Sequence, residues 1–355
     1  MKLLKHAIRK IKKRIVLKTS DEIHIKKIDE LAITPTMKCS LNCVMCHQKE
    51  IKHWPNMEYE DFKKLLFNLK KEGVKKISLV GGEIFVHPEM WKFIKLMEKM
   101  KFQYDLSSNL FFVPNMSRLR QLSGLEMVTT SIDGDEAVHD KIRNVPGAYK
   151  KTVQNIKILK SWGIKIDVAC VAQKANLHML RNIVSDICKL KVKSITLLFE
   201  NTLTNPQKLA NKGLIKKITG EDSNILVSSI ENPLGTMSED DFKYIVKLTP
   251  SLIKLAKHHG ANLHLATQFI YPELLNQKCS LKNYTCGIFK GYNMIAYNKG
   301  ELPFCGFITL EKDFDLLSNK PLSVANSKEY IKLRRAFKKY GALPMCRLCC
   351  ALKKK

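Results

Sequence analysis

Three thiols lie within eight positions near the front of the chain, in "MKCSLNCVMCHQ": Cys39, Cys43 and Cys46, spaced C-x3-C-x2-C. On a helix they would share one face and pack as ordinary core cysteines, but Pro35 upstream and Asn42 between them make a regular helix unattractive. Several thiolates converging on metal point to zinc or to an iron–sulfur cluster. A structural zinc takes four ligands and leaves none open. The nearest fourth ligand is His47, which directly follows Cys46, and adjacent side chains converge poorly on one ion. Three thiolates on a cubane each take one iron and leave the fourth iron free, which is what a catalytic metal site keeps.

A second group of thiols lies toward the C-terminus. "CGIFKGYNMIAYNKGELPFCG" carries Cys286 and Cys305, and "PMCRLCC" carries Cys346, Cys349 and Cys350; Cys279 precedes them. Paired thiols alone would also permit a zinc ribbon. The remaining two of the eleven cysteines, Cys170 and Cys188, stand in apolar surroundings and read as buried structural thiols. Thiols that persist unpaired suit a reducing cytoplasm.

The elements that must position these groups show an alternating rhythm. Strand-type runs "ELAITPTM", "KKISLVGG", "QYDLSSN", "MVTTSID", "KIDVACVA" and "SITLLFEN" are separated by amphipathic stretches such as "DFKKLLFNLKKEG", "PEMWKFIKLMEKM", "SRLRQLSG", "GAYKKTVQNIKILKSWG" and "HMLRNIVSDICKLK". Alternation of this kind predicts βαβ units around a parallel sheet. Six units in about 170 residues fall short of the eight of a closed barrel. The expected fold class is therefore α/β: a partial (β/α)6 TIM-like barrel followed by a small cysteine-rich α+β domain. The boundaries read as a basic amphipathic arm at 1–30, the barrel core at 31–201, a connecting, substrate-covering region at 202–278 and the cysteine-rich domain at 279–355. Periodicity weakens between 202 and 236. "SEDDFKYIVKLTPSLIKLAKHHG" then reads as a helix capped by Ser238, kinked at Pro250 and closed by Gly260.

The front motif, in the loop after the first strand, resembles the signature of the radical S-adenosylmethionine (SAM) superfamily. The family usually has an aromatic residue before the last cysteine; here it is Met45. More of the pattern follows in order. "SLVGGEIFVHPE" resembles the family's GGE motif, which implies that Gly81, Gly82 and Glu83 meet the amino group of the SAM methionine. "DLSSNL" puts Ser107 and Asn109, and "TTSIDG" puts Ser131 and Asp133, at strand ends that face such a site. Arg143 stands where relatives aim an arginine at the SAM carboxylate. The C-terminal thiols resemble the SPASM module or its shortened Twitch form. That resemblance implies a second, auxiliary [4Fe–4S] cluster on Cys286, Cys305, Cys346 and Cys349, with Cys350 a bystander and Cys279 a weaker substitute.

The implied activity is reductive cleavage of SAM at the [4Fe–4S] cluster of Cys39, Cys43 and Cys46 to a 5′-deoxyadenosyl radical, which takes hydrogen from a substrate. The resemblance also implies a small electron donor protein of flavodoxin or ferredoxin type. The substrate class is a peptide or protein side chain, or a carbohydrate-type alcohol. The auxiliary cluster either accepts an electron from the substrate or relays electrons to the first cluster.

Composition bounds these readings. The 355 residues, 45% hydrophobic and 26% charged, suit a folded protein and exclude wholesale disorder. No run is long and apolar enough to span a bilayer, and no signal peptide is evident, so the expected location is cytoplasmic. The formal charge of +28 comes mostly from scattered lysines. A zinc-bearing, basic nucleic-acid-binding protein is the alternative reading. The local concentration of charge is "MKLLKHAIRKIKKRIVLK", with eight Lys/Arg and no acid. Residues 1–18 read either as a helix on an anionic membrane surface or as a helix packed across the outside of the main domain.

Overall fold

A computed structural model describes residues 23–46, 55–200, 202–227, 232–275, 279–291, 294–312 and 314–355. The basic arm 1–18 and His47 lie outside the described residues. The strands are β1 (Glu30–Ile33), β2 (Lys76–Leu79), β3 (Gln103–Ser107), β4 (Leu125–Ser131), β5 (Ile166–Ala172), β6 (Ser194–Phe199), β7 (Ser223–Ile225), β8 (Asn262–Leu265), β9 (Tyr284–Cys286), β10 (Ile295–Ala296), β11 (Ile308–Leu310) and β12 (Leu352–Lys354). The helices are α1 (Tyr59–Lys71), α2 (Met90–Lys99), α3 (Glu136–Arg143), α4 (Ala148–Ser161), α5 (Leu180–Lys189), α6 (Asn205–Thr219), α7 (Glu239–His258), α8 (Thr267–Ile270), α9 (Pro321–Ala325) and α10 (Lys328–Tyr340).

Strands β1 to β6 pair in parallel and in chain order, as the alternating pattern predicts. Two further parallel strands extend the sheet. β8 joins β6, with Ser194 opposite Asn262, and β10 joins β1, with Ile33 opposite Ala296. The segments 202–278 and 279–355 thus each lend a strand to the barrel sheet. Two small antiparallel pairs complete the ladder set, β7 with β11 and β9 with β12. The second places Cys286 opposite Leu352.

Period-two alternation assigns the two faces of the sheet. Leu31, Ile33, Ile77, Leu79, Leu106, Val168 and Leu197 are fully buried and share one core with Phe62, Leu65, Leu66 and Leu69 of α1 and Phe93 of α2. Phe62 stacks on Phe93 with ring centroids 4.2 Å apart. Each such side chain contributes about 1.5–3 kcal/mol by leaving water. Intervening residues turn to the opposite, polar face. There Lys76 pairs with Asp105 at 2.7 Å and Glu126 at 2.8 Å, and Ser78 donates to Glu30 at 2.9 Å.

Helix ends follow their sequence signals. Ser238 Oγ accepts from Asp241 N, and Asp241 returns a bond to Ser238 N, a reciprocal cap at the start of α7. Pro250 lies inside α7 without ending it. Two stretches differ from expectation. "SRLRQLSG" forms only a short 3-10 turn, Met116–Gln121, in which Leu119 alone is buried. The weakly periodic region holds the fifteen-residue α6. Its apolar stripe is diluted by exposed Leu209 and Leu214, but Thr204 and Gln207 form a capping box at its start. Among the described residues, no helix is long and apolar enough to cross a membrane.

The first described residues are tied to the C-terminal helices. Asn326 bonds both the N–H and the carbonyl of Ile25, at 2.9 and 2.8 Å. Arg334, 1% exposed, donates Nε–H to the Ile23 carbonyl at 2.6 Å and NH2 to Asn326 Oδ1 at 3.0 Å. Burial pulls its pKa down to about 10. Arg334→Met keeps the bulk and leaves a buried carbonyl without a donor. The expected loss is about 1–3 kcal/mol, read as a lower urea midpoint at unchanged slope.

Candidate functional site

The cysteine loop follows β1 and leans on the turn that ends β2. Gly82 N donates to Thr36 O at 3.0 Å and Glu83 N to Lys38 O at 2.8 Å. A Cβ on Gly82 would fall 2.1 Å from Lys38 O, and one on Gly81 would fall 2.3 Å from Thr36 O. Gly81 also has φ +140. Only glycine permits this approach of backbone to backbone. The two glycines thus seat the loop that carries Cys39, Cys43 and Cys46.

The structure brings Glu83 and Asn109 together with this loop. Glu83 is fully buried; Oε1 accepts from Phe85 N at 3.1 Å, and Oε2 accepts from Asn109 N at 2.7 Å and Ser108 Oγ at 3.1 Å. Burial outweighs these bonds and pushes its carboxyl up to about 7. Asn109 Nδ2 lies 3.6 Å from Cys39 Sγ and 3.3 Å from Ser40 Oγ. Leu41 N also donates to Cys39 Sγ, at 3.4 Å. Cys39 is exposed as a residue, yet its sulfur is partly desolvated and pushed up to about 11, with Cys43, Glu83 and Cys46 close enough to add to the rise. Ser107 and Ser131 close β3 and β4 and are half-buried.

Asp133 and Arg143 meet each other. Arg143 donates Nε–H to Asp133 Oδ2 at 2.7 Å and NH2 to the same oxygen at 2.5 Å, while its NH1 points at Cys43 Sγ, 3.8 Å away. Both residues are buried. Asp133 Oδ1 accepts from Val171 N at 2.9 Å, so the pair is also fastened to β5. The Asp133 N–H bonds His139 Nδ1, and burial lowers that imidazole to about 4, leaving it neutral. α3 carries Arg143, and its Ile142 carbonyl accepts from Val44 N at 2.9 Å, which fixes the loop from the side opposite the glycines.

Four residues, three at strand ends and one that packs against them, escaped the sequence reading. Gln173, just past β5 and fully buried, donates Nε2 to Met45 Sδ at 2.9 Å. Its Oε1 accepts from Asn232 Nδ2 at 3.0 Å, which also donates to Glu200 Oε1, just past β6, at 2.7 Å. Ser108 is the fourth. The strand-end rule that selects Asn109 and Asp133 selects Gln173 and Glu200 equally. Asn232 carries no such signal, since it arrives from the 202–278 segment. Nearby, Lys174 Nζ holds both oxygens of Asp241 at 2.9 and 2.7 Å, and these bonds hold that carboxyl down to about 2.

The C-terminal thiols also gather. Burial raises the pKa of Cys346, with Cys286 and Cys305 close enough to add to the rise; a bond with Cys350 raises that of Cys349, with burial and the nearby Cys346 adding to it. Cys305 is pushed up to about 12. Backbone N–H groups reach the sulfurs: Ala351 N lies 3.4 Å from Cys349 Sγ, Ile288 serves Cys286, and Phe307 and Ile308 serve Cys305. Cys350 bonds the Cys349 thiol and also neighbours Cys286. Cys279 lies apart on the Arg347 side, its carbonyl accepting from Arg347 NH2 at 3.1 Å. Sulfurs that accept N–H bonds suit the anionic thiolates of an iron–sulfur cluster. Among the described residues, no three His, Cys, Asp or Glu side chains are gathered closely enough for a single metal ion.

Comparison with known proteins agrees with this layout. The family model "Radical SAM superfamily" matches residues 33–187, which include the front thiols, the glycines, Glu83 and the Asp133–Arg143 pair. A GTP 3′,8-cyclase of Aliarcobacter butzleri is 28% identical over 156 residues, covering 42% of this chain and 48% of the relative. The subtilosin biosynthesis protein AlbA of Bacillus subtilis is 26% identical over 165 residues, covering 45% and 37%. These matches span about half or less of the curated relatives' own length. Streptococcus suis SuiB superposes with a TM-score of 0.67 at 17% identity, covering 95% of this chain and 75% of SuiB, and has been solved bound to S-adenosylmethionine and to its precursor peptide SuiA. The zinc-bearing nucleic-acid-binding alternative finds no support in these matches. Residues 33–187, with the thiol loop, match the radical SAM superfamily model, and the SuiB likeness shows a shared fold across both the sheet and the C-terminal region.

Proposed function

We propose that this chain is an enzyme that holds a [4Fe–4S] cluster on Cys39, Cys43 and Cys46, binds SAM at its open iron and oxidatively modifies a peptide. The observation that carries the reading is the seating of three thiols in one loop. That loop is locked by Gly81 and Gly82 on one side and by α3 on the other, with side-chain N–H donors aimed at two of the sulfurs. A second [4Fe–4S] cluster on Cys286, Cys305, Cys346 and Cys349 belongs to the same reading. When bound, the front cluster and SAM supply one electron and a 5′-deoxyadenosyl radical able to take hydrogen from an unactivated carbon.

The chain's own residues bind and orient. Glu83 has about four lone-pair sites, three already filled, and the remaining one on Oε1 suits the ammonium of the SAM methionine. Gly81 and Gly82 let backbone come close beside it. Asn109 and Arg143 steady the negative charge on Cys39 and Cys43. Arg143 keeps N–H groups beyond those given to Asp133, and these suit the SAM carboxylate. Ser107, Ser131, Met45 and Gln173 line the same strand-end side. Asn232 and the Lys174–Asp241 pair dock the 202–278 segment onto the ends of β5 and β6, where it would cover substrate and keep water out. The likeness to SuiB and AlbA supports a peptide as the substrate class. The strongly basic chain suits an acidic electron donor of flavodoxin or ferredoxin type.

Anaerobically reconstituted protein is expected to hold about eight irons per chain, two cubanes' worth. Under dithionite it should release methionine and 5′-deoxyadenosine. Replacing Cys39, Cys43 and Cys46 together by alanine should halve the iron and abolish both products; product formation in that variant would end the proposal.

SAM affinity should depend on pH through Glu83. Its carboxyl titrates near 7 in the buried site, and only the ionised form complements an ammonium. Below that value affinity should fall by about tenfold per pH unit, and above about pH 8 it should fall again as the α-ammonium of SAM loses its own proton, giving a bell-shaped profile. Equilibrium dialysis of SAM between pH 5.5 and 8.5 reads this directly. A flat profile would remove Glu83 from the ammonium site.

A further inference from the structure

Glu200 is a half-buried carboxylate that meets no cation among the described residues. It directly follows β6, and its N–H donates to the Ala172 carbonyl at the end of β5, at 3.2 Å. Oε1 accepts from Asn232 Nδ2 at 2.7 Å, and the same amide nitrogen reaches Gln173 Oε1 at 3.0 Å. Gln173 in turn bonds Met45, which lies between Cys43 and Cys46. The side chain therefore turns toward the cysteine loop and the segment that brings Asn232. Oε2 has no partner among the described residues. A carboxylate offers about four lone-pair sites, and here one is filled. Burial, opposed only by the Asn232 bond, raises its pKa above the ordinary carboxylate value.

Most of the fully buried acids do not share this state. Asp133 faces Arg143, Asp241 faces Lys174 and Glu329 faces Lys312. Asp167, at the start of β5, has hydroxyl donors on both oxygens, from Ser194 and Thr196. Glu83 is the acid that resembles Glu200: burial raises it, neutral donors alone reach it, and a lone pair stays open. In the reading above that opening receives the ammonium of SAM. By the same physics the opening at Glu200 suits a second cation. Its carboxylate is already partly desolvated in the folded chain, so an arriving cation gains the attraction with some of the desolvation cost already met. SAM does not supply this cation. Its ammonium goes to Glu83, its sulfonium to the open iron, and its adenosine is neutral. The remaining ligand is the substrate.

Resting on the peptide reading above, we infer that the substrate carries a positive charge, on a lysine or arginine side chain or a free amino group, and that Glu200 Oε2 receives it at the end of β6. Such a preference runs against the formal charge of +28, which repels cations from the molecule as a whole. It depends on one local carboxylate, which makes Glu200 a specificity-determining contact. Asn232 orients that carboxylate and also docks its own segment on the strand ends. Recognition of the cation and covering of the substrate thus share one side chain.

The test uses the reconstituted full chain with SAM and three pools of short peptides. The pools share capped ends and randomised uncharged neighbours, and carry lysine, arginine or norleucine at the centre. Equilibrium dialysis with mass spectrometry measures how much of each pool is retained. The wild-type chain should retain the lysine and arginine pools about tenfold or more over norleucine. Glu200→Gln keeps the Oε1 acceptor for Asn232 and should bring that ratio close to one, as coupling between two charges requires. The same ratio in both chains, or no pool retained, overturns the inference. So does a loss of SAM affinity of about tenfold in the Gln variant, which means that the adenosine hydroxyls take Oε2. If the Gln variant sheds its iron, Glu200→Asp decides: it draws the charge back by one methylene and should lower the ratio about threefold, and an unchanged ratio overturns the inference. Failure of the underlying reading looks different, since the wild-type chain then releases no methionine or 5′-deoxyadenosine under dithionite, whichever pool it retains.

Discussion

The contact of the cysteine loop with the Gly81–Gly82 turn is the constraint on which the rest depends. Two carbonyls of the loop, Thr36 O and Lys38 O, lie where side chains would otherwise be. They are used at once as acceptors for Gly82 N and Glu83 N. This joins the end of β1 to the end of β2 by backbone alone, without side-chain rotamers to loosen the fit. In the proposed reading three thiols meet one cofactor within a fraction of an ångström, and a loop held by main-chain bonds provides that rigidity better than one held by long side chains.

From that contact, order spreads across the ends of the strands. Glu83 follows the glycines and ties β2 to the start of the β3 loop through Ser108 and Asn109. Asn109 returns to Cys39. On the far side, Asp133 after β4 holds Arg143, which reaches Cys43, and is itself fastened to Val171 of β5. The buried carboxylate and guanidinium would each be costly alone; together, with Val171 N and the Cys43 sulfur as further partners, their bonds offset the loss of water. The same pair places a permanent positive group beside the Cys43 sulfur. In the proposed reading, a device that stabilises the fold would also favour the thiolate that the cofactor needs.

Much of this was legible in the sequence because it is written in local chemistry. The six strands of the core, the cysteine spacing and the helix cap at Ser238 all express short-range rules. Residues whose meaning comes from distant partners were harder. Gly81 and Gly82 read as a place for ligand to approach, whereas the structure shows a second, structural reason for them in the packing of the loop. Asp133 and Arg143 read as separate contacts to a ligand and are found bonded to each other. α6 escaped because its apolar stripe is thin; its capping box carried the signal instead. Strands β8 and β10 are short and pair with strands that lie more than sixty and more than two hundred and fifty residues away along the chain. No periodicity over two to four residues announces such pairing.

Those two late strands change how the molecule holds together. A parallel edge strand leaves a row of unpaired backbone groups. Here β10 covers the free edge of β1 and β8 covers that of β6. Each is drawn from a segment with other duties. β10 lies between Cys286 and Cys305, and β8 leads directly into Thr267 and Gln268, which bind the carbonyls of the last cysteine turn. The C-terminal thiols are therefore anchored to both edges of the sheet whose strand ends carry the front thiols. Rigid placement of one group of thiols relative to the other follows from sheet pairing, not from contact between two independent domains. If both proposed clusters are bound, electron transfer between them would depend steeply on their separation, which a shared sheet holds constant where a flexible linker would not.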